Sequence, residues 1–158
     1  MADSKISNLT EITNPSNSDV LLIVNGGSNK KIQVSNFGRG VSESLLSTTN
    51  NIDLNTSTAS SLFTSLSGTS TVITKVVIRN ASTSLTTASV SFGWNSSAFN
   101  DVISNATHTE LTGNTIYTAL GAKTGATVGT SSQIFKIKAN TLQGAAATVS
   151  VDVFGVII

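Results

Sequence analysis

From residue 71 onward the chain is a succession of short β-branched and apolar runs, each closed by glycine or by a cluster of Ser, Thr and Asn. This spacing leaves room for strands and almost none for helices. The longest run is Thr71-Val72-Ile73-Thr74-Lys75-Val76-Val77-Ile78-Arg79-Asn80. Side chains alternate along a strand, so Val72, Val76 and Ile78 are expected to share one face. Ala88 to Trp94, Asn114 to Leu120, Gln133 to Ala139 and Thr148 to Val156 are further strand candidates. In the last of these, Val149, Val151 and Val153 alternate with Ser150 and Asp152. The pattern predicts an all-β chain, an antiparallel β-sandwich of jelly-roll or immunoglobulin-like order. The C-terminus, Phe154 to Ile158, is apolar apart from Gly155. Left free it would fray and aggregate, so it is expected to pair in a sheet or be buried between subunits.

Ahead of the sandwich lies a different pattern. Val20-Leu21-Leu22-Ile23-Val24 and Lys30-Lys31-Ile32-Gln33-Val34 flank Asn25-Gly26-Gly27-Ser28-Asn29. Two strand-forming runs around a Gly-rich turn predict a small β-hairpin arm. Val34, Phe37, Val41 and Leu45 recur at helical spacing behind Ser35, a suitable N-cap, so 35–47 is expected to hold a short helix, with Gly38 and Gly40 opposing it. The organisation read from this is an attachment segment with hairpin at 1–40, a linker with part of a short helix at 41–50, and a sandwich at 51–158.

Composition narrows the function. Charged residues are 11% of the chain, against roughly 25% in an average soluble protein. Ser and Thr together make up about 30%. Formal net charge is +1, and the longest basic run is Lys30-Lys31, so the clustered cationic face of a nucleic-acid binder is missing. A surface so close to neutral resists self-association poorly, which suits a subunit of an assembly. The absence of cysteine excludes disulfides and thiolate metal sites. No apolar segment follows Met1-Ala2-Asp3-Ser4-Lys5, so no secretory leader is expected, and Val20 to Val24 is too short to cross a membrane.

Little in the sequence carries chemistry. His108, the one histidine, would share a strand face with Glu110 and could form a base or half a metal site with it, but a metal needs three or four ligands. The expected role is a surface or turn residue. Asp101 and Glu110 would act as a glycosidase pair only by coincidence of folding. No Gly-x-Ser-x-Gly elbow occurs, and the Gly26-Gly27 segment lacks the spacing of a phosphate loop. The chain is therefore not expected to be an enzyme or to hold a cofactor or metal. Trp94, beside Asn95 and near Asn100, offers a stacking surface for a glycan, with burial in a core or interface the commoner fate of such a residue.

The segments Lys5-Ile6-Ser7-Asn8-Leu9-Thr10, Asp19 to Val24, Gly26 to Ile32 and Val34-Ser35-Asn36-Phe37 resemble the N-terminal module of tailed-bacteriophage head-fibre, tail-fibre and capsid-decoration proteins. From Ile52 onward, Lys75 to Ser82, Ser89 to Gly93, Ala106 to Leu111 and Val151 to Gly155 look like a β-sandwich domain of phage particles. The resemblance implies attachment by the N-terminus, display of the sandwich and assembly as a homotrimer. The partner implied is the major capsid protein or another virion protein. Contacts are expected from Ile6, Leu9, Leu21, Leu22, Ile23, Val24, Lys30, Lys31, Ile32, Val34, Phe37 and Arg39. The chain would be made in the host cytoplasm and act on the outer capsid surface. The alternative is a short fibre adhesin binding a host surface glycan through Trp94 and Asn95. A receptor-binding fibre usually carries a long shaft, for which this chain has no room, so a decoration or cement protein is the favoured expectation.

Overall fold

The β-branched runs do form strands, and they pair in a nested order. The structure, a computed structural model, describes residues 20–25, 28–33, 43–94 and 97–158. The chain divides into two compact units, Met1–Gly40 and Val41–Ile158. In the first, β1 (Val20–Asn25) and β2 (Ser28–Gln33) form an antiparallel hairpin, running from Val20 opposite Gln33 to Asn25 opposite Ser28.

The second unit contains β3 (Ser44–Asp53), β4 (Ser60–Thr64), β5 (Thr71–Arg79), β6 (Ser89–Gly93), β7 (Ile103–Thr107), β8 (Tyr117–Gly121), β9 (Ile134–Thr141) and β10 (Thr148–Ile157). No helix occurs among the described residues. One sheet has the order β3-β10-β5-β8 and the other β4-β9-β6-β7, with every pairing antiparallel. Four pairs are nested: β6 with β7, β5 with β8, β4 with β9, and β3 with β10. The chain is thus a long folded-over ribbon, and the β10–β5 and β9–β6 contacts roll that ribbon into two sheets. This is jelly-roll order, which decides between the two expected sandwich topologies.

The alternation of Val149, Val151 and Val153 holds, and all three are fully buried. The expected face of β5 does not hold as written. Phe154 lies opposite Lys75 and Gly155 opposite Ile73, so Thr74 is an extra residue, a β-bulge. The bulge inverts the alternation. Thr71 and Ile73 are buried before it and Val76 and Ile78 after it, while Val72 is only half-buried. Gly155 sits beside this bulge, where a Cβ would run into the Val72 carbonyl oxygen. The backbones approach there too closely for any side chain.

Residues 44–50, expected as linker with part of a helix, belong instead to β3. For Leu45 the helical spacing is outweighed by pairing along the length of β10, from Thr148 opposite Asp53 to Gly155 opposite Ser44. Residues 34–42 lie outside the described residues. The apolar C-terminus is paired in the sheet, as expected. β10 lies between β3 and β5, and Ile158 exchanges backbone hydrogen bonds with Ser70, both 2.8 Å.

Between the sheets, the Phe135 ring lies 6.3 Å from Phe92 and 5.1 Å from Trp94. Leu54, Ile73, Val76, Ile78, Leu111 and Ile137 complete the centre of the core. Burial of each such side chain contributes about 1.5–3 kcal/mol relative to exposure.

Antiparallel nesting places the connections 54–59, 80–88, 108–116 and 142–147 at one end of the sandwich. Ser44, where the chain enters β3, and the last residues of β10 lie at the other. The four connections are knitted together by backbone bonds, Leu54 N to Ala147 O, Ser82 N to Thr148 O, Leu85 N to Leu111 O and Gln143 N to Leu54 O. Gln143, 4% exposed, is the hub. Its Oε1 accepts from the backbone amides of Thr86, Thr87 and Ala88, each at 3.2 Å, and its Nε2 donates to Thr86 Oγ1 at 3.1 Å.

Replacing Gln143 with Leu removes the acceptor shared by three amides, one of them in a buried residue. The expected cost is about 2 kcal/mol, read as a lowered midpoint of urea unfolding. The exposed neighbour change Leu142→Ala should stay within about 0.5 kcal/mol. Equal effects at the two positions would contradict the hub role.

Candidate functional site

Seven of the residues expected to grip a shell fall on the hairpin. Leu21, Leu22, Ile23 and Val24 lie on β1, and Lys30, Lys31 and Ile32 on β2. Leu21 is opposite Ile32, Leu22 opposite Lys31, and Ile23 opposite Lys30. Ile6, Leu9, Val34, Phe37, Arg39 and Asn95 lie outside the described residues. Among the described strands, β1 and β2 pair only with each other. Each therefore has a second edge of backbone amides and carbonyls that no described strand takes up.

Trp94 does not offer the exposed ring that the glycan reading needs. It is 5% exposed, follows directly on β6, and packs against Phe135 and edge-on against Phe63 at 6.4 Å. Its indole also lies against Gly129, where a Cβ would fall inside the ring's contact distance. A bulky apolar ring at the end of a central strand gains more from the core than from solvent. The indole Nε1 is buried with no hydrogen-bond partner among the described residues.

The turn after β7 does bring His108 and Glu110 together. His108 Nδ1 is 3.0 Å from Glu110 Oε1. The histidine is buried rather than at the surface, and its Nε2 has no hydrogen-bond partner among the described residues. Burial works to raise the Glu110 carboxyl, but hydrogen bonds from its own backbone amide, Thr118 and His108 together hold it below the usual carboxylate range. No third ligand joins them: among the described residues no group of three or more His, Asp or Glu could hold a metal. Asp101 serves the loop instead, its Oδ1 accepting from the Trp94 backbone amide at 3.0 Å.

The two outer sheet faces differ. On the β4-β9-β6-β7 sheet the β6–β7 connection folds back over the strands. Ser91 Oγ donates to Ala98 O, Lys138 Nζ donates to Ser97 O, and the Lys136 ammonium lies 5.3 Å from the ring centre of buried Phe99. Across the β3-β10-β5-β8 sheet runs an open groove of about 360 Å³. Its floor is Val77, Arg79, Asp152 and Phe154, and one wall is the segment Asn114–Tyr117. Tyr117 sits opposite Arg79 in the β5–β8 register and is 67% exposed. Arg79 grips Asp152 with two hydrogen bonds, Nε to Oδ2 at 2.7 Å and Nη2 to Oδ1 at 3.0 Å, and Thr48 Oγ1 donates to the same Oδ1 at 2.7 Å. This two-pronged geometry is the strong form of a charge-assisted bond. The Arg79 hydrogen bond is the main reason the Asp152 carboxyl lies below its usual range, with burial opposing and Thr48 assisting. The groove was missed in the sequence because its parts come from three strands far apart in the chain. The one local sign was Arg79, a charge ending an apolar run.

No protein-family model matches the chain, and no curated protein matches its sequence.

A carboxyl with a depressed folded-state pKa stabilises the fold above its unfolded pKa, about 3.9, and that contribution disappears as pH falls through the depressed value. Stability of the native chain should therefore drop more steeply below about pH 4 than that of Asp152→Asn. At pH 7 the substitution should cost about 1–2 kcal/mol. Thermal unfolding across pH 2 to 7, as a rough span, checks this, and parallel pH profiles for the two proteins would refute it.

Proposed function

We propose that this chain is a structural protein of a tailed-bacteriophage particle, a decoration or cement protein that attaches to the outer head shell through residues 1–40 and displays the sandwich. The hairpin carries the reading. It belongs to a unit distinct from the sandwich, and its strands pair only with each other among the described residues. A lone two-stranded hairpin is marginal in water and gains stability by adding to a partner's sheet. Main-chain pairing to a shell strand would supply affinity, and Lys30, Lys31 and Arg39 would steer the approach toward acidic shell residues. The resemblance of segments 5–37 to phage attachment modules supplies the particle.

The sandwich suits display. The core residues described for it belong to Val41–Ile158, and its four knitted connections lie at the end away from Ser44. Assembly as a homotrimer would multiply weak hairpin contacts into avidity on a symmetric shell.

Removing residues 1–38 should abolish co-sedimentation with capsids while leaving a cooperative unfolding transition of the sandwich. Capsid binding retained by the truncated protein would sink this mechanism.

A further inference from the structure

We infer that the groove on the β3-β10-β5-β8 sheet is a saccharide-binding site for a neutral pyranose. The inference stands whether or not residues 1–40 attach the chain to a shell.

A volume of about 360 Å³ is at the low end of small-ligand sites, roughly 300–1,000 Å³. The groove is open rather than enclosed, as binding one or two rings of a longer chain requires. Two of the three strands beneath it, β5 and β10, are central in their sheet, so its floor is held rigidly from both sides. It extends to Asn80 and Asn114, in two of the connections at the end away from Ser44.

The lining selects the chemistry. Tyr117 presents most of its ring to solvent on a strand, where the apolar C–H face of a sugar can stack. Asn80, Asn114 and Thr115 supply amides and a hydroxyl at the rim. Asn80 is held in the left-handed region, φ 54°, with Nδ2 3.4 Å from Ser150 Oγ, a conformation that Asn tolerates better than most residues. On the floor, Asp152 takes up two of the five N–H donors of Arg79. Arg79 thus retains donors for sugar hydroxyls, and Asp152 Oδ2, with Arg79 Nε as its hydrogen-bond donor, retains acceptor capacity. Because the two charges neutralise each other, the groove has no net attraction for an anion. An apolar stacking face ringed by paired donors and acceptors matches a neutral sugar better than a lipid, a nucleotide or an acidic peptide.

The test is binding of the full-length protein to immobilised neutral oligosaccharides, built from glucose, galactose, mannose and N-acetylated hexosamines, beside sialylated and uronic-acid glycans. Sedimentation velocity is run on the same samples. Binding to at least one neutral series is expected. Tyr117→Ala should weaken it about tenfold or more, the loss of one stacking contact. Tyr117→Phe should keep most of it, and Leu66→Ala, an exposed change outside the groove, should leave it unchanged. Circular dichroism checks that each variant folds. Silence across the neutral series, preference for the acidic glycans alone, or binding indifferent to Tyr117→Ala would overturn the proposal. Dissociation of an oligomer by Tyr117→Ala with no sugar bound would also overturn it and make the groove a contact between copies of this chain.

Discussion

β10 is hydrogen-bonded on both sides, to β3 and to β5, and among the described strands β3 joins its sheet only through it. The last strand of the chain therefore holds together the sheet begun by the first strand of the sandwich. The bond from Thr48 to Asp152 closes 104 residues of sequence. Such contacts incur loop-closure entropy before they return any stabilisation. What repays it is apolar. Val149, Val151 and Val153 sit in the core, and the final Phe154-Gly155-Val156-Ile157 segment stays paired with β5 past the bulge at Thr74, with its register shifted by one residue. An apolar C-terminus that would be a liability on a free tail is here a central strand.

That central position also determines what the two outer surfaces can do. Even positions of β10 carry Asp152 and Phe154 outward beside Val77 and Arg79 of β5, and the edge strand β8 brings Tyr117 into line. On the opposite sheet, residues 97–99 of the β6–β7 connection lie over part of the outer face, held by Ser91, Lys136 and Lys138. One face is thus partly covered by the chain itself, and the other carries an open groove with a paired charge at its floor. The floor of the groove is built on β5 and β10, the two central strands of its sheet.

The sequence revealed the central strands far better than the edges. β5, β6, β9 and β10, all central, were readable as β-branched or apolar runs because both flanks and one face of each are covered by protein. β3, β4 and β7 are edge strands and were missed. β7 reads Ile-Ser-Asn-Ala-Thr and is exposed after its first residue; β4 reads Ser-Ser-Leu-Phe-Thr. In a chain so rich in Ser and Thr these look like loop. β8, the fourth edge strand, was anticipated but begins later than expected, at Tyr117. Val72 was misplaced because alternation cannot register an extra residue such as Thr74. Trp94 is buried, the commoner fate expected for it, and the exposed-ring alternative fails because Gly129 and Phe135 close over the indole. The groove was illegible, since Arg79, Tyr117 and Asp152 meet only through pairings set by the whole nested order.

The proposal that the hairpin is the attachment element is tested most directly by hydrogen exchange on the full-length protein, free and bound to capsids. Added protection should concentrate in the amides of Val20–Asn25 and Ser28–Gln33, where a new strand partner would form, with the sandwich core unchanged. Protection gained instead in the connections 54–59, 80–88, 108–116 and 142–147, with the hairpin unaffected, would contradict the account and place the shell contact on the sandwich.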